Sequence, residues 1–179
     1  MGQTELTIAG VGGQGSILAG VILGSAAVTY DRKFAVQTQA YSSELRGGFA
    51  AAWVIVSDAP ILFPRVTHPH VLVAQAQDSI ARFAETVKPD GILIMDKDMV
   101  TTKPDKIERG FGVSATSIAR NQLKAPVTAN MIMLGALCKV TGVVSRKGLE
   151  QAIAKAVPEG KAQLNLDAFL LGFERVKAL

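Results

Sequence analysis

Six residues near the start of the chain, Gly10-Val11-Gly12-Gly13-Gln14-Gly15, constrain its fold more than any other stretch. A β-prone run, Leu6-Thr7-Ile8-Ala9, precedes them. An apolar segment over residues 16–30 follows, with Leu18, Val21, Ile22 and Ala26 at helical spacing. Strand, glycine loop and helix in that order make a phosphate-binding type of turn. Glycine adopts positive φ and has no Cβ to keep a ligand off the backbone. The amides that open the helix then face an incoming anion. Gly12, Gly13, Gln14 and Gly15 are the residues this turn offers to a ligand or an interface. The plainer reading is a glycine turn that only packs the helix close to the sheet.

The spacing Gly10-x-Gly12-x-x-Gly15 also satisfies the dinucleotide fingerprint, which wants a carboxylate at the end of the second strand. That strand reads Phe34-Ala35-Val36-Gln37-Thr38, and Asp31 lies before it, in the turn after the helix. A nicotinamide-binding reading therefore ranks below an anion-binding or interface role.

At 179 residues the chain is long enough to bury a substantial core as one domain, residues 1–179. Hydrophobic residues are 49% and charged residues 19%, which excludes intrinsic disorder and points to contacts with partners. The net charge of +4 is spread among acids, as in Lys103-Pro104-Asp105-Lys106-Ile107-Glu108-Arg109, so a nucleic-acid-binding stripe is not expected. The single cysteine, Cys138, lies in the apolar run Met131-Ile132-Met133-Leu134-Gly135-Ala136-Leu137-Cys138. It excludes an intrachain disulfide framework and a cysteine-ligated cluster, and reads as a buried, inert thiol. His68 and His70 lack a third ligand and read as loop histidines. No metal site is expected. The N-terminus lacks a secretory pattern. Residues 17–28, the longest nearly apolar run, fall short of the roughly 20 needed to span a bilayer. A cytoplasmic location without membrane attachment is expected.

Further along, Phe49-Ala50-Ala51-Ala52-Trp53-Val54-Ile55-Val56 reads as a strand buried on both faces. Ile61-Leu62-Phe63-Pro64 is apolar but broken by prolines. Val71-Leu72-Val73-Ala74 is a strand, and Ile80, Phe83, Ala84 and Val87 mark a helix after it. Ile92-Leu93-Ile94-Met95-Asp96 is the next strand, with Asp96 and Asp98 read as a solvated loop. Residues 115–123 are helical, Thr128 caps a helix stopped by Gly142, and Ser145 opens another. A last helix carries Leu166, Phe169, Leu170 and Phe173 on one side. The alternation predicts an α/β fold: a single Rossmann-like domain with a mainly parallel sheet flanked by helices, and C-terminal helices.

No catalytic side chain is nominated: there is no nucleophile elbow, no P-loop lysine and no paired-carboxylate motif. The dense polar stretch is Tyr41-Ser42-Ser43-Glu44-Leu45-Arg46-Gly47-Gly48. Arg46 beside two glycines suits a bidentate clamp on phosphate or carboxylate, or else an ion pair with Glu44 or a partner's acid. Such a site binds, and reaction chemistry would come from a cofactor.

The glycine loop, then Gln37-Thr38-Gln39-Ala40-Tyr41, then Glu44-Leu45-Arg46-Gly47-Gly48, resembles the γ subunit of the 2-oxoacid:ferredoxin oxidoreductases. Asn130-Met131-Ile132-Met133-Leu134-Gly135-Ala136 and Leu164-Asn165-Leu166 with the helix after it are similar too, so the resemblance covers the whole chain. The nearest subgroup is the 2-oxoglutarate type. The resemblance implies a subunit of an enzyme that oxidatively decarboxylates a 2-oxoacid with coenzyme A, giving acyl-CoA, carbon dioxide and reduced ferredoxin. It implies alpha and beta partner subunits, with a delta subunit as a further candidate, and ferredoxin reached through the complex. Thiamine diphosphate and iron–sulfur clusters would belong to those partners. Gly12, Gly13, Gln14, Gly15, Tyr41, Ser43, Arg46 and Gly47 would contact coenzyme A or thiamine phosphates, or else hold the α-type subunit. Alternatives are the smaller subunit of an indolepyruvate ferredoxin oxidoreductase, and a non-catalytic nucleotide- or phosphate-binding domain.

Overall fold

The computed structural model describes residues 2–42 and 48–179. Strand β1 (Gln3–Val11) lies inside a seven-stranded sheet, and helix α1 (Ser16–Thr29) leaves it across the glycine loop. The chain then forms β2 (Phe34–Tyr41) and β3 (Phe49–Ser57), followed by β4 (Val71–Ala74) and α2 (Gln77–Phe83). Next come β5 (Ile92–Asp96), β6 (Arg109–Val113) and a short helical segment α3 (Ala115–Ser117), which widens into a looser turn. Helices α4 (Ala129–Thr141), α5 (Arg146–Ala156) and α6 (Ala162–Arg175) lead to β7 (Lys177–Ala178). The strand order is β2-β3-β1-β4-β5-β6-β7.

The α/β class holds, but the sheet is mixed. β1, β4, β5 and β6 run parallel, whereas β2–β3, β3–β1 and β6–β7 pair antiparallel. The cause lies in chain length. A parallel return needs a crossover of about a dozen residues, and only residues 42–48 separate β2 from β3. β3 must therefore come back antiparallel, and it does so through the gap between β2 and β1.

Buried strands here read as unbroken apolar runs because both faces are covered. Val71 and Val73 of β4 and Ile92 and Ile94 of β5 join the larger core beneath α1, α4, α5 and α6. Leu72 and Ala74, with Leu93 and Met95, point the other way into a smaller core with Ile80 and Val87. Two strands escape the sequence reading. β6 has glycine at two of its five positions, so it shows no apolar alternation. β7 is two residues long and exists only because α6 returns the chain to the edge of β6.

Ser145 caps α5 as expected, its hydroxyl accepting from Gly148 N at 3.0 Å. Thr128 precedes α4 but does not cap it; its hydroxyl turns back and donates to Ala125 O at 2.8 Å. Helix α4 ends at Gly142 in the left-handed conformation. Helices α4 and α6 cross with backbones in contact. A Cβ on Gly135 would stand 1.9 Å from Phe169 O, and one on Gly172 would stand 1.8 Å from Ile132 O. Among the described residues no helix is long and apolar enough to cross a membrane.

Candidate functional site

The glycine loop lies where the sheet changes direction. At the carboxyl end of β1 its parallel neighbour β4 ends and its antiparallel neighbour β3 begins. Open α/β sheets bind ligands at such a switch point. Gly10 and Val11 still pair with Ala50 and Phe49, and Gln14 N then closes a turn on Val11 O at 3.1 Å. Gly13 (φ 93°) and Gly15 (φ 75°) take the positive φ values that the turn requires.

Gln14 points inward as a brace. Its Oε1 accepts from Val11 N at 2.8 Å, and its Nε2 donates to Gln75 O at 3.0 Å. A Cβ on Gly10 would come within 2.4 Å of that Oε1, so glycine at position 10 is what lets Gln14 fold back. Gln75, directly after β4, completes the arrangement. Its Nε2 donates to Gln14 O at 3.1 Å, and its Oε1 accepts from Ser16 Oγ at 2.7 Å. Gln75 and Ser16 are buried and Gln14 is partly so, and the network fixes the loop. On the other side, Asn130 Nδ2 donates to Gly15 O at 3.3 Å from the first turn of α4, while Asn130 Oδ1 is buried without a partner among the described residues.

What remains outward is a short arc of backbone. Gly12 and Gly13 are exposed, but the amide of Gly12 is used, donating to Gly48 O at 2.7 Å. The amide of Gln14 is used as well. Gly13 and the first turn of α1, which has neither a side-chain cap nor an acidic residue, supply the remaining donors. That surface fits an anionic group: among the described residues nothing lies within 4 Å of a Cβ placed on Gly13, and the positive end of the helix dipole faces it. The connection between β2 and β3 is tied to the loop through Gly48, and its two ends are joined by Ser42 N donating to Phe49 O at 2.9 Å. Tyr41, at the end of β2, is 68% exposed. Ser43, Arg46 and Gly47 lie outside the described residues. Glu44 does too, so the ion pair weighed for Arg46 is not described.

Gln75 and Asn130 were not singled out from sequence as site residues. Gln75 left one usable trace, a glutamine directly after a fully apolar strand. β2, where a dinucleotide enzyme keeps its ribose-binding carboxylate, is separated from β1 by β3 and ends in Tyr41. That geometry removes the basis of the nicotinamide reading.

Asp96, expected in a solvated loop, is only 2% exposed. It accepts from the amides of Asp98, Ala115 and Thr116 and from Thr116 Oγ1, which anchors α3 to the end of β5. Burial pushes its carboxyl above the usual range, and those hydrogen bonds offset the effect in part. His70 lies at the opposite end of the sheet, accepting from Glu5 N at 3.0 Å with Lys88 Nζ 2.7 Å from Nε2. Among the described residues no three candidate metal ligands come together. Cys138 is buried, its thiol donating to Val144 O at 3.7 Å and pushed up by burial to about 11.

The sequence profile of the family described as pyruvate ferredoxin/flavodoxin oxidoreductase matches residues 5–175. The chain is 44% identical over 179 residues to the 2-oxoglutarate synthase subunit KorC of Methanocaldococcus jannaschii, covering 99% of this chain and 96% of that protein. It is 36% identical over 135 residues to the ketoisovalerate oxidoreductase subunit VorA of Methanothermobacter thermautotrophicus, covering 75% of this chain but 28% of that longer protein. It superposes on the crystal structure of a keto/oxoacid ferredoxin oxidoreductase gamma subunit from Geobacter sulfurreducens with a TM-score of 0.89. That comparison covers 98% of this chain and 97% of the other at 38% identity.

Proposed function

The chain belongs to the pyruvate ferredoxin/flavodoxin oxidoreductase family, as a gamma-type subunit, and on that premise we propose that it serves a cytoplasmic assembly that oxidises 2-oxoglutarate. The reaction joins the decarboxylated acyl group to coenzyme A and passes the electrons to ferredoxin. The full-length likeness to a 2-oxoglutarate synthase subunit carries the substrate. Alpha and beta subunits, and a delta subunit where one exists, complete the assembly.

Thiamine diphosphate and iron–sulfur clusters, held by partner chains, supply the decarboxylation and electron-transfer chemistry. The donor set of this chain agrees with that division, since its single thiol is buried and bonded to a backbone carbonyl. Its own contribution is a binding edge. Gly12 and Gln14 frame the loop, and the amides of Gly13, Gly15 and the start of α1 receive a phosphate of coenzyme A. Tyr41, Ser43, Arg46 and Gly47 are the further residues proposed to contact it. A rigid loop suits this role because its donors need no reordering when the anion arrives.

The test is purification of the native complex, followed by a 2-oxoacid-dependent dye-reduction assay with coenzyme A. Turnover should be highest with 2-oxoglutarate, and Arg46→Ala should raise the apparent KM for coenzyme A by roughly tenfold or more. Turnover preferring pyruvate or an aryl pyruvate would overturn the substrate. An unchanged KM with weakened assembly would move Arg46 to a subunit contact. If neither changes, both roles fail.

A further inference from the structure

Helix α1 and strand β2 together hold 22 residues and not one charge. The chain is 19% charged, so about four would be expected. Both elements are nevertheless at the surface. Leu18, Val21 and Val28 face outward from α1, 40%, 50% and 51% exposed. β2 is the outermost strand on its side of the sheet, with Phe34 46% exposed. A groove of about 530 Å³ runs between the two, lined by Val21, Gly24, Val28, Ala35, Gln37 and Gln39. Gln37 Oε1 is buried there without a hydrogen-bond partner among the described residues.

Free edge strands normally carry a lysine, a proline or a bulge that discourages pairing. The eight residues of β2 have no lysine or proline, and β2 pairs with β3 in unbroken register from Phe34 to Tyr41. An apolar groove beside an unprotected edge marks a protein interface. The lack of charge fits an equally uncharged element. Two observations favour another subunit over a second copy of this chain. In the longer ketoisovalerate oxidoreductase relative, the stretch resembling this chain is one part of a larger polypeptide, so a unit of this kind works against further domains of the same enzyme. The face is also continuous with the proposed coenzyme edge, because α1 starts and β2 ends at the glycine loop.

We infer that the α1–β2 face seats an uncharged element of a partner subunit of the same oxidoreductase, pairing along β2 and filling the groove with apolar side chains. The inference rests on the proposed function. It is tested in the complete complex with Val21→Lys and Val28→Lys, singly and together. Both valines are half exposed on a helix, so the variants should melt with the wild-type chain. They should bind the partner subunits at least about 100-fold more weakly, because each buries an unpaired charge. Leu62→Lys, at a residue 94% exposed on the segment between β3 and β4, should leave binding unchanged. Wild-type affinity in the double variant would overturn the inference. So would variants that abolish self-association of the isolated chain, read by light scattering, while partner binding persists. If the wild-type chain co-purifies with no thiamine-binding subunit, the functional reading falls and this inference with it. If it does co-purify and the variants bind normally, only the surface assignment falls.

Discussion

Replacing Gly135 with alanine sets two effects of opposite sign against each other. Alanine is the better helix former by about 1 kcal/mol, so propensity alone makes Gly135→Ala stabilising. Packing opposes this. The new methyl would stand 1.9 Å from Phe169 O and 2.8 Å from Phe173 N, both backbone atoms that cannot swing aside. Ordinary contact begins near 3.4 Å, so α4 and α6 must part by about 1.5 Å. Phe169, Ile132 and Ala168 are fully buried around this crossing and would lose contacts as it opens. Overpacking of this kind costs about 1–3 kcal/mol; the upper end applies because both clashes are with backbone, which leaves a net loss of about 2 kcal/mol. For a chain of this length the midpoint should fall by roughly 4–8 °C. Thermal and urea melts of the isolated chain measure it, with Gly160→Ala as the control, since nothing lies within 4 Å of its Cβ position. If Gly135→Ala melts at or above the wild-type temperature, the two helix backbones are not in contact and the packing argument is wrong.

Two further outcomes concern titrating groups. Burial, and then the Lys88 ammonium, lower the pKa of His70 below its usual 6.5, with Glu5 and Asp90 opposing. The native state thus binds fewer protons than the unfolded chain below about pH 6.5, and the stability contributed by neutral His70 is lost as pH falls through that range. Urea unfolding at pH 7.5 and 5.5 should show a larger drop for wild type than for His70→Gln; equal drops refute the assignment. Cys138, held at about 11, should resist a thiol reagent at pH 8 in the native chain and react fully after denaturation. Rapid native labelling would contradict its burial.

The legible parts of this fold were those written in contiguous residues. Val71–Ala74 and Ile92–Asp96 coincide with the expected strands because full burial on both faces leaves an uninterrupted apolar run. The glycine loop was legible for the same reason, since its turn is made by six neighbouring residues. The direction of β3 was legible only through the length of the connection before it, a constraint that strand propensity does not express. Asp96 misled because its polar neighbours suggest solvent, whereas α3, arriving about twenty residues later, covers it. The two halves of the loop brace were the least accessible. Gln75 meets Gln14 across 61 positions and Asn130 meets Gly15 across 115, and no local periodicity records such meetings.

Those separations bear on how the protein is made. As the chain leaves the ribosome, β1 and α1 emerge first, yet they hold only the local hydrogen bonds of the loop, those between Val11 and Gln14. Gln75 must follow before Ser16 and Gln14 can be satisfied, and Asn130 before the carbonyl of Gly15 gains its donor. The proposed coenzyme edge thus reaches its final form only when more than two-thirds of the polypeptide has been synthesised. A truncated chain would lack that form, so incomplete subunits would arrive at assembly with a loose loop in place of a finished site.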